Sequence, residues 1–239
     1  MSTREESGTA GGPREATEPF LRITEIFHSI QGESTWTGTP CTFVRLTGCP
    51  LRCSWCDTAY AFSGGERMTL ASIVEKVREI GCPVVEVTGG EPLAHRNAFS
   101  LVEQLLEAGL TVLVETSGSE DIAPLPDAVH VIMDLKCPGS GESHRNRWEN
   151  LAHLDGRDEI KFVVKDRDDY VWARNVIRER KLEQRVETGS LRAILISPVW
   201  GDEGPALRSL SEWILEDRLR VRLQSQLHKY IWDPLTRGV

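Results

Sequence analysis

Short apolar runs rich in β-branched residues alternate with helical patterns from residue 41 almost to the end of the chain, and that alternation leaves few folds open. Residues 41–46 (CTFVRL), 84–87, 111–115, 130–134, 159–164 and 193–197 read as strands, with a weaker one at 221–224. Between them, Thr69 reads as the N-cap of a helix with Leu70, Ile73, Val74, Val77 and Ile80 on one face, stopped by Gly81. A second helix carries Leu101, Val102, Leu105 and Leu106 and ends at Gly109, and two more are expected over 168–180 and 205–216. Strand followed by helix, repeated, implies a mostly parallel sheet, and continuous apolar strands imply burial on both faces. About six such units in 239 residues predict an α/β fold, a partial (open) βα barrel, because a closed eightfold barrel takes ~250 residues. In such folds function gathers at the C-terminal ends of the strands.

The formal net charge of −8 argues against a non-specific nucleic-acid binder, which needs a basic stripe. No apolar run approaches the length of a membrane span. Residues 1–18 lack the apolar stretch of a secretory signal and read as a disordered leader before a single domain over 19–239. A cytoplasmic protein without membrane or nucleic-acid partners is expected. Thiols stay reduced in that compartment, so clustered cysteines point to metal or redox chemistry more than to disulfides.

The cluster is Cys49, Cys53 and Cys56, spaced C-x3-C-x2-C in GCPLRCSWCDT. Three thiolates on one loop can face a single metal centre, and a four-iron cluster held by three cysteines keeps one iron free for another ligand. The alternatives are a structural zinc site and accidental clustering. Zinc takes four protein ligands, usually as spaced pairs, and neither Cys41, Cys82, Cys137 nor a histidine completes such a pair. Those three cysteines read as small buried residues.

With Trp55 before the last cysteine, the segment resembles the signature of the radical S-adenosylmethionine (SAM) superfamily. The resemblance extends to Thr88-Gly89-Gly90-Glu91-Pro92 behind a strand and to Glu115-Thr116-Ser117-Gly118 behind the next. It implies a radical SAM type barrel, a 4Fe-4S cluster on Cys49, Cys53 and Cys56, and SAM against Trp55, Asp57, Gly90, Glu91 and Ser117. Asp134 and Lys136 stand where related chains carry a Ser-Pro-Lys-like turn toward SAM, with Asp134 departing from the serine. Ser197 and Trp200 match a further SAM-contacting strand end.

Three other segments narrow the resemblance: IFHSIQGES over 26–34, TFVRLTGCPLRCSWCDT over 42–58, and QLHKY over 226–230. Together, over about residues 23–232, they resemble the 7-carboxy-7-deazaguanine synthase family. This implies radical contraction of a 6-carboxy-tetrahydropterin ring with loss of ammonia, in the deazapurine (queuosine) pathway. The resemblance places the pterin against Ile30, Gln31, Gly32, Glu33, Arg45, Thr88 and His228. It places Mg²⁺ on Thr58, a hydroxyl that chemistry alone would read as a helix cap. Arg45 has the planar fork that suits a carboxylate, although a mid-strand arginine is also a natural salt-bridge partner. A flavodoxin or ferredoxin-type electron donor and a homodimer are further expectations of the resemblance. A glycyl-radical activating enzyme shares the cysteine motif and the GGEP turn, but the extra ferredoxin-like cysteine sets that often accompany it are not evident in this sequence.

Overall fold

The computed structural model describes residues 18–239. The leader expected over residues 1–18 lies, but for Glu18, outside them. The strands are Phe20–Ile30 (β1), Pro40–Leu46 (β2), Glu66–Thr69 (β3), Val84–Gly89 (β4), Thr111–Thr116 (β5), His130–Asp134 (β6), Glu159–Val164 (β7), Ala193–Pro198 (β8) and Arg222–Leu223 (β9). The helices are Leu70–Ile80 (α1), Arg96–Glu107 (α2), Arg167–Glu179 (α3), Leu182–Glu187 (α4), Leu207–Asp217 (α5) and His228–Ile231 (α6).

One sheet takes the order β3-β1-β2-β4-β5-β6-β7-β8-β9. Every pair from β2 to β9 is parallel. Six crossovers therefore join seven parallel strands, as the alternation predicts, and the mixed α/β sheet is an open partial barrel. Two strands escaped the sequence reading. β1 runs antiparallel to both β2 and β3, and its alternation is diluted by Arg22, Glu25 and His28. β3 has only four residues.

The helices form where the pattern places them. Thr69 Oγ1 accepts from the Ser72 N–H, and Gly81 closes α1 in the left-handed region at φ 75°, a conformation that costs glycine little. Leu70, Ile73, Val74 and Val77 are buried. α1, α2 and α3 lay such faces on the outer side of the sheet, against Val44, Val85, Val87, Val112, Val114, Ile160 and Phe162. Each strand residue on the outer face alternates with one on the inner face, and the inner face divides into two levels. Its lower level is apolar, with Cys41, Phe43, Val84, Leu113 and Ile132 packed together and Phe27, Trp36 and Ile80 beside them. Two positions further along their strands stand Arg45, Glu86, Glu115 and Asp134, with Lys161 of β7 beside Asp134. Among the described residues no helix is long and apolar enough to cross a membrane.

Candidate active site

Above that charged level opens a cavity of about 640 Å³, on the side where the parallel strands end. Its wall includes Cys49, Cys53 and Cys56, the C-terminal ends of β4 to β7, the loop after β1, and the segment around α6. One cavity thus gathers most of the residues that the sequence marks: Ile30, Gln31, Gly32, Glu33, Arg45, Trp55, Asp57, Thr58, Thr88, Gly90, Ser117, Asp134, Lys136, Trp200 and His228.

Two marked residues stand outside the lining. Glu91 is fully buried, and its carboxylate accepts from the Leu93 N–H at 3.0 Å, the Thr116 hydroxyl at 2.8 Å and the Ser117 N–H at 2.7 Å. It ties the loop after β4 to the end of β5, so its acceptor sites are spent within the protein. Ser197 is buried within β8; Val199 and Trp200, just beyond that strand, reach the cavity instead.

The cysteine loop leaves β2 at Gly48, whose φ of 106° favours glycine. It is pinned on both flanks. The Gly48 carbonyl accepts from the Glu91 N–H at 2.9 Å, while Ser54 donates from its backbone to Ser140 at 3.1 Å and from its hydroxyl to Gly139 at 3.0 Å. A Cβ on Gly90 would fall 2.6 Å from Cys49 Cβ, so only glycine lets the two loops touch. Arg52 spans the loop, donating to the Cys49 and Leu51 carbonyls at 2.7 and 2.6 Å.

The thiol set suits an iron–sulfur cluster. All six cysteines are free, and only these three line the cavity. Burial holds all three thiols above their ordinary range, Cys53 to about 11, while Lys136 opposes the shift at each. Iron binding takes thiolates and releases protons, and the Lys136 charge sits where it offsets them. Among the described residues no three His, Cys, Asp or Glu side chains converge on one point as ligands of a single ion.

The far end of the cavity is polar and ordered. Lys161 donates to Glu33 Oε2 at 2.9 Å and to Glu115, and Asp134 Oδ2 lies 3.8 Å away. Burial opposes the Glu33 charge, but Lys161, Gln226 and His228 outweigh it and bring its carboxyl down to about 2. Gln31 donates from Nε2 to Glu86 and accepts the Glu33 N–H at 2.9 Å, so the amide sets the path of its own loop. Glu86, fully buried near Glu115 and Glu33, is driven well above the carboxylate range. Arg45 Nε donates to Glu25 at 2.7 Å, and the same carboxylate oxygen accepts from Tyr60. The salt bridge and the ligand-facing reading of Arg45 are therefore compatible: among the described residues only Nε is committed, and Arg45 lines the cavity.

The C-terminal segment closes over this end. The Leu227 N–H donates to Gly32 at 2.9 Å, and a Cβ on Gly32 would fall 2.7 Å from the His228 backbone nitrogen. Gln226 donates to Glu33 at 2.8 Å, and Lys229 pairs with Asp57 at 2.6 Å. Burial opposes the Asp57 charge, but Lys229 outweighs it and holds the carboxyl below its usual range. Thr58 donates to Asp57 at 2.9 Å, and its side chain caps no backbone N–H of the 3-10 turn that follows. Glu86, Lys161, Gln226 and Lys229 were not marked as site residues by the sequence reading. Glu86 and Lys161 carry a visible signal as ionisable residues inside buried strands, and Gln226 and Lys229 lie within the 226–230 segment that supports the resemblance.

An open βα barrel with a three-cysteine loop behind its first parallel strand defines the radical SAM class, and a sequence profile for the Radical SAM superfamily matches residues 43–138. The 7-carboxy-7-deazaguanine synthase of Koribacter versatilis (strain Ellin345) is 45% identical over 231 residues, covering 92% of this chain and 100% of the relative. The synthase of Chlorobaculum tepidum is 43% identical, covering 94% of this chain and 100% of the relative. The crystal structure of QueE from Escherichia coli shares the fold, with a TM-score of 0.65 at 24% identity over 86% of this chain and 94% of that one. This chain belongs to the 7-carboxy-7-deazaguanine synthase family.

Proposed function

We propose that this chain contracts the ring of a 6-carboxy-tetrahydropterin to 7-carboxy-7-deazaguanine with loss of ammonia, within queuosine and related deazapurine synthesis. One observation carries the reading: a single cavity holds the three cysteines at one end and, at the other, a cationic fork and an ionised carboxylate held by buried partners. When bound, the cluster and SAM supply one-electron reduction of a sulfonium and a carbon radical that abstracts hydrogen.

The chain's own residues do the positioning. Cys49, Cys53 and Cys56 hold the cluster. Trp55 offers a ring face to the SAM adenine, and Gly90, Ser117, Asp134, Lys136 and Trp200 line the remaining SAM surface. Arg45 receives the substrate carboxylate with the nitrogens that Glu25 leaves uncommitted. Glu33 accepts from the amino-pyrimidinone edge, and Ile30, Gln31, Gly32, Thr88 and His228 complete that pocket. Thr58 offers Mg²⁺ a hard oxygen beside Asp57. The C-terminal segment covers the substrate and excludes water.

A flavodoxin or ferredoxin-type donor, a homodimer and a cytoplasmic location complete the proposal. The absence of a membrane-crossing helix among the described residues accords with that location. The test is Arg45→Ala in protein reconstituted with its cluster. Iron and sulfide content stay at the wild-type level, and pterin affinity falls about tenfold or more, the cost of a charge-assisted pair. Unchanged affinity removes Arg45 from the substrate site.

A further inference from the structure

Lys161 sits on the inner face of β7 with 4% of its surface exposed. A lysine is buried to that depth only when paired. Its ammonium meets Glu33 from the loop after β1, Glu115 from the end of β5, and Asp134 from the end of β6. Burial alone would drive it toward the neutral amine, but the three carboxylates outweigh that and keep it protonated. The inner-face position beneath it on β7 is Glu159, itself buried and held by the Thr35 N–H, so this strand carries ionisable groups at two successive levels where its neighbours β2, β4, β5 and β6 are apolar at the lower one.

The surroundings of Glu33 show what the charge is for. Gln226 donates to Oε1 at 2.8 Å, and Gln224 donates to Oε2 at 3.2 Å. Both are neutral amides. His228 faces Glu33 from the C-terminal segment, and burial lowers its affinity for a proton. From β4 and β5 the facing groups are Glu86 and Glu115, both acids. Lys161 is therefore the one cation that contacts Glu33 among the described residues. A carboxylate has about four acceptor sites. With Lys161 and Gln224 on Oε2 and Gln226 alone on Oε1, the site left open is on Oε1.

We propose that Lys161 is a positioning residue of the substrate site, whose ammonium fixes Glu33 so that Oε1 is presented to the amino-pyrimidinone edge of the pterin. The proposal rests on the functional reading above and adds to it a residue that acts through Glu33.

The experiment is calorimetric titration of reconstituted holoenzyme with 6-carboxy-tetrahydropterin, with SAM and without reductant, at about pH 6, 7 and 8. Wild type, Lys161→Met and Lys161→Arg are compared. Wild type and Lys161→Arg bind with an affinity that changes little over this range. Lys161→Met binds about tenfold or more weakly near pH 7, the loss of one charge-assisted contact. Its affinity recovers as the pH rises and falls further as it drops, because Glu33, stripped of its cation among buried acids, keeps a proton to higher pH. SAM affinity, titrated separately in the same samples, changes less than about twofold, since Lys136 holds Asp134 at 2.8 Å. If Lys161→Met does not fold, Lys161→Gln removes the charge while keeping polarity and carries the same expectations. A folded variant that binds the pterin like wild type, or that binds weakly at every pH alike, overturns the proposal. Wild-type holoenzyme that binds SAM but no pterin overturns the functional reading, and the proposal falls with it.

Discussion

Arg45, Glu86, Glu115, Asp134 and Lys161 occupy inner-face positions of parallel strands, where side chains are ordinarily apolar. Each such group needs a partner: Lys161 finds Glu115 and Asp134 within the set and Glu33 outside it, while Arg45 pairs with Glu25, Asp134 with Lys136, and Glu86 accepts from Gln31. That pattern was legible in part. Arg45 stands out because a fork suits a carboxylate, whereas Glu86 and Lys161 read only as members of strands, because strand periodicity says nothing of what a buried ionisable group faces. Two predictions belong to this scale. Cys49→Ala, Cys53→Ala and Cys56→Ala each lose the cluster, read as iron and sulfide content and visible absorbance after reconstitution; a full, SAM-cleaving cluster in any of them contradicts the assignment. Glu33 makes the second. Its folded-state value of about 2 lies below the ordinary 4.5, so its contribution to stability is complete above about pH 4.5 and is lost as the pH falls toward about 2. Melting temperature measured across that window falls more steeply for wild type than for Glu33→Gln; parallel curves contradict the ion pair.

At the scale of elements, the strands and helices with strong period were legible almost to the residue. β6 and β7 are read as His130–Asp134 and Glu159–Val164, the spans that the apolar runs mark. β1 leaves little signal because one half-exposed strand paired antiparallel on both sides alternates polar and apolar weakly. α4 is not legible because six residues with a single buried leucine leave no periodic face. The loops that join the cysteines to the GGEP turn depend on a contact that no periodicity reports. Gly90→Ala places a methyl against Cys49 and the Gly48 carbonyl. We expect it to cost about 1–3 kcal/mol in stability and to lower cluster occupancy, measured by denaturation and by iron content. Retention of both contradicts the close approach. Glu91 shows the opposite limit of motif reading. The motif marks it for SAM, whereas its buried bonds to Leu93, Thr116 and Ser117 make it a brace between two strand ends.

For the whole molecule, the order of strands leaves an open barrel, and the C-terminal segment covers part of the opening. Gln226 and Lys229 fasten it to Glu33 and Asp57, and beyond Trp232 the chain returns to the cavity wall at Pro234 and Val239. The sequence offers no role for that last stretch, because a tail without periodic apolar residues carries no signal of where it lies. Lys229→Ala unfastens the segment from the cluster loop. Its expected result is a pterin KM raised about threefold to tenfold, as for one lost charge-assisted bond, together with faster proteolytic nicking after residue 225; wild-type values for both contradict the tether. The central claim is that one cavity serves radical generation and pterin binding together. It is tested most directly by anaerobic turnover of reconstituted protein with SAM, a reductant, Mg²⁺ and 6-carboxy-tetrahydropterin, with the product followed by mass. The account predicts 7-carboxy-7-deazaguanine, formed only with all components present. Formation of 5′-deoxyadenosine without the deazaguanine, in protein with full iron and sulfide, would contradict it.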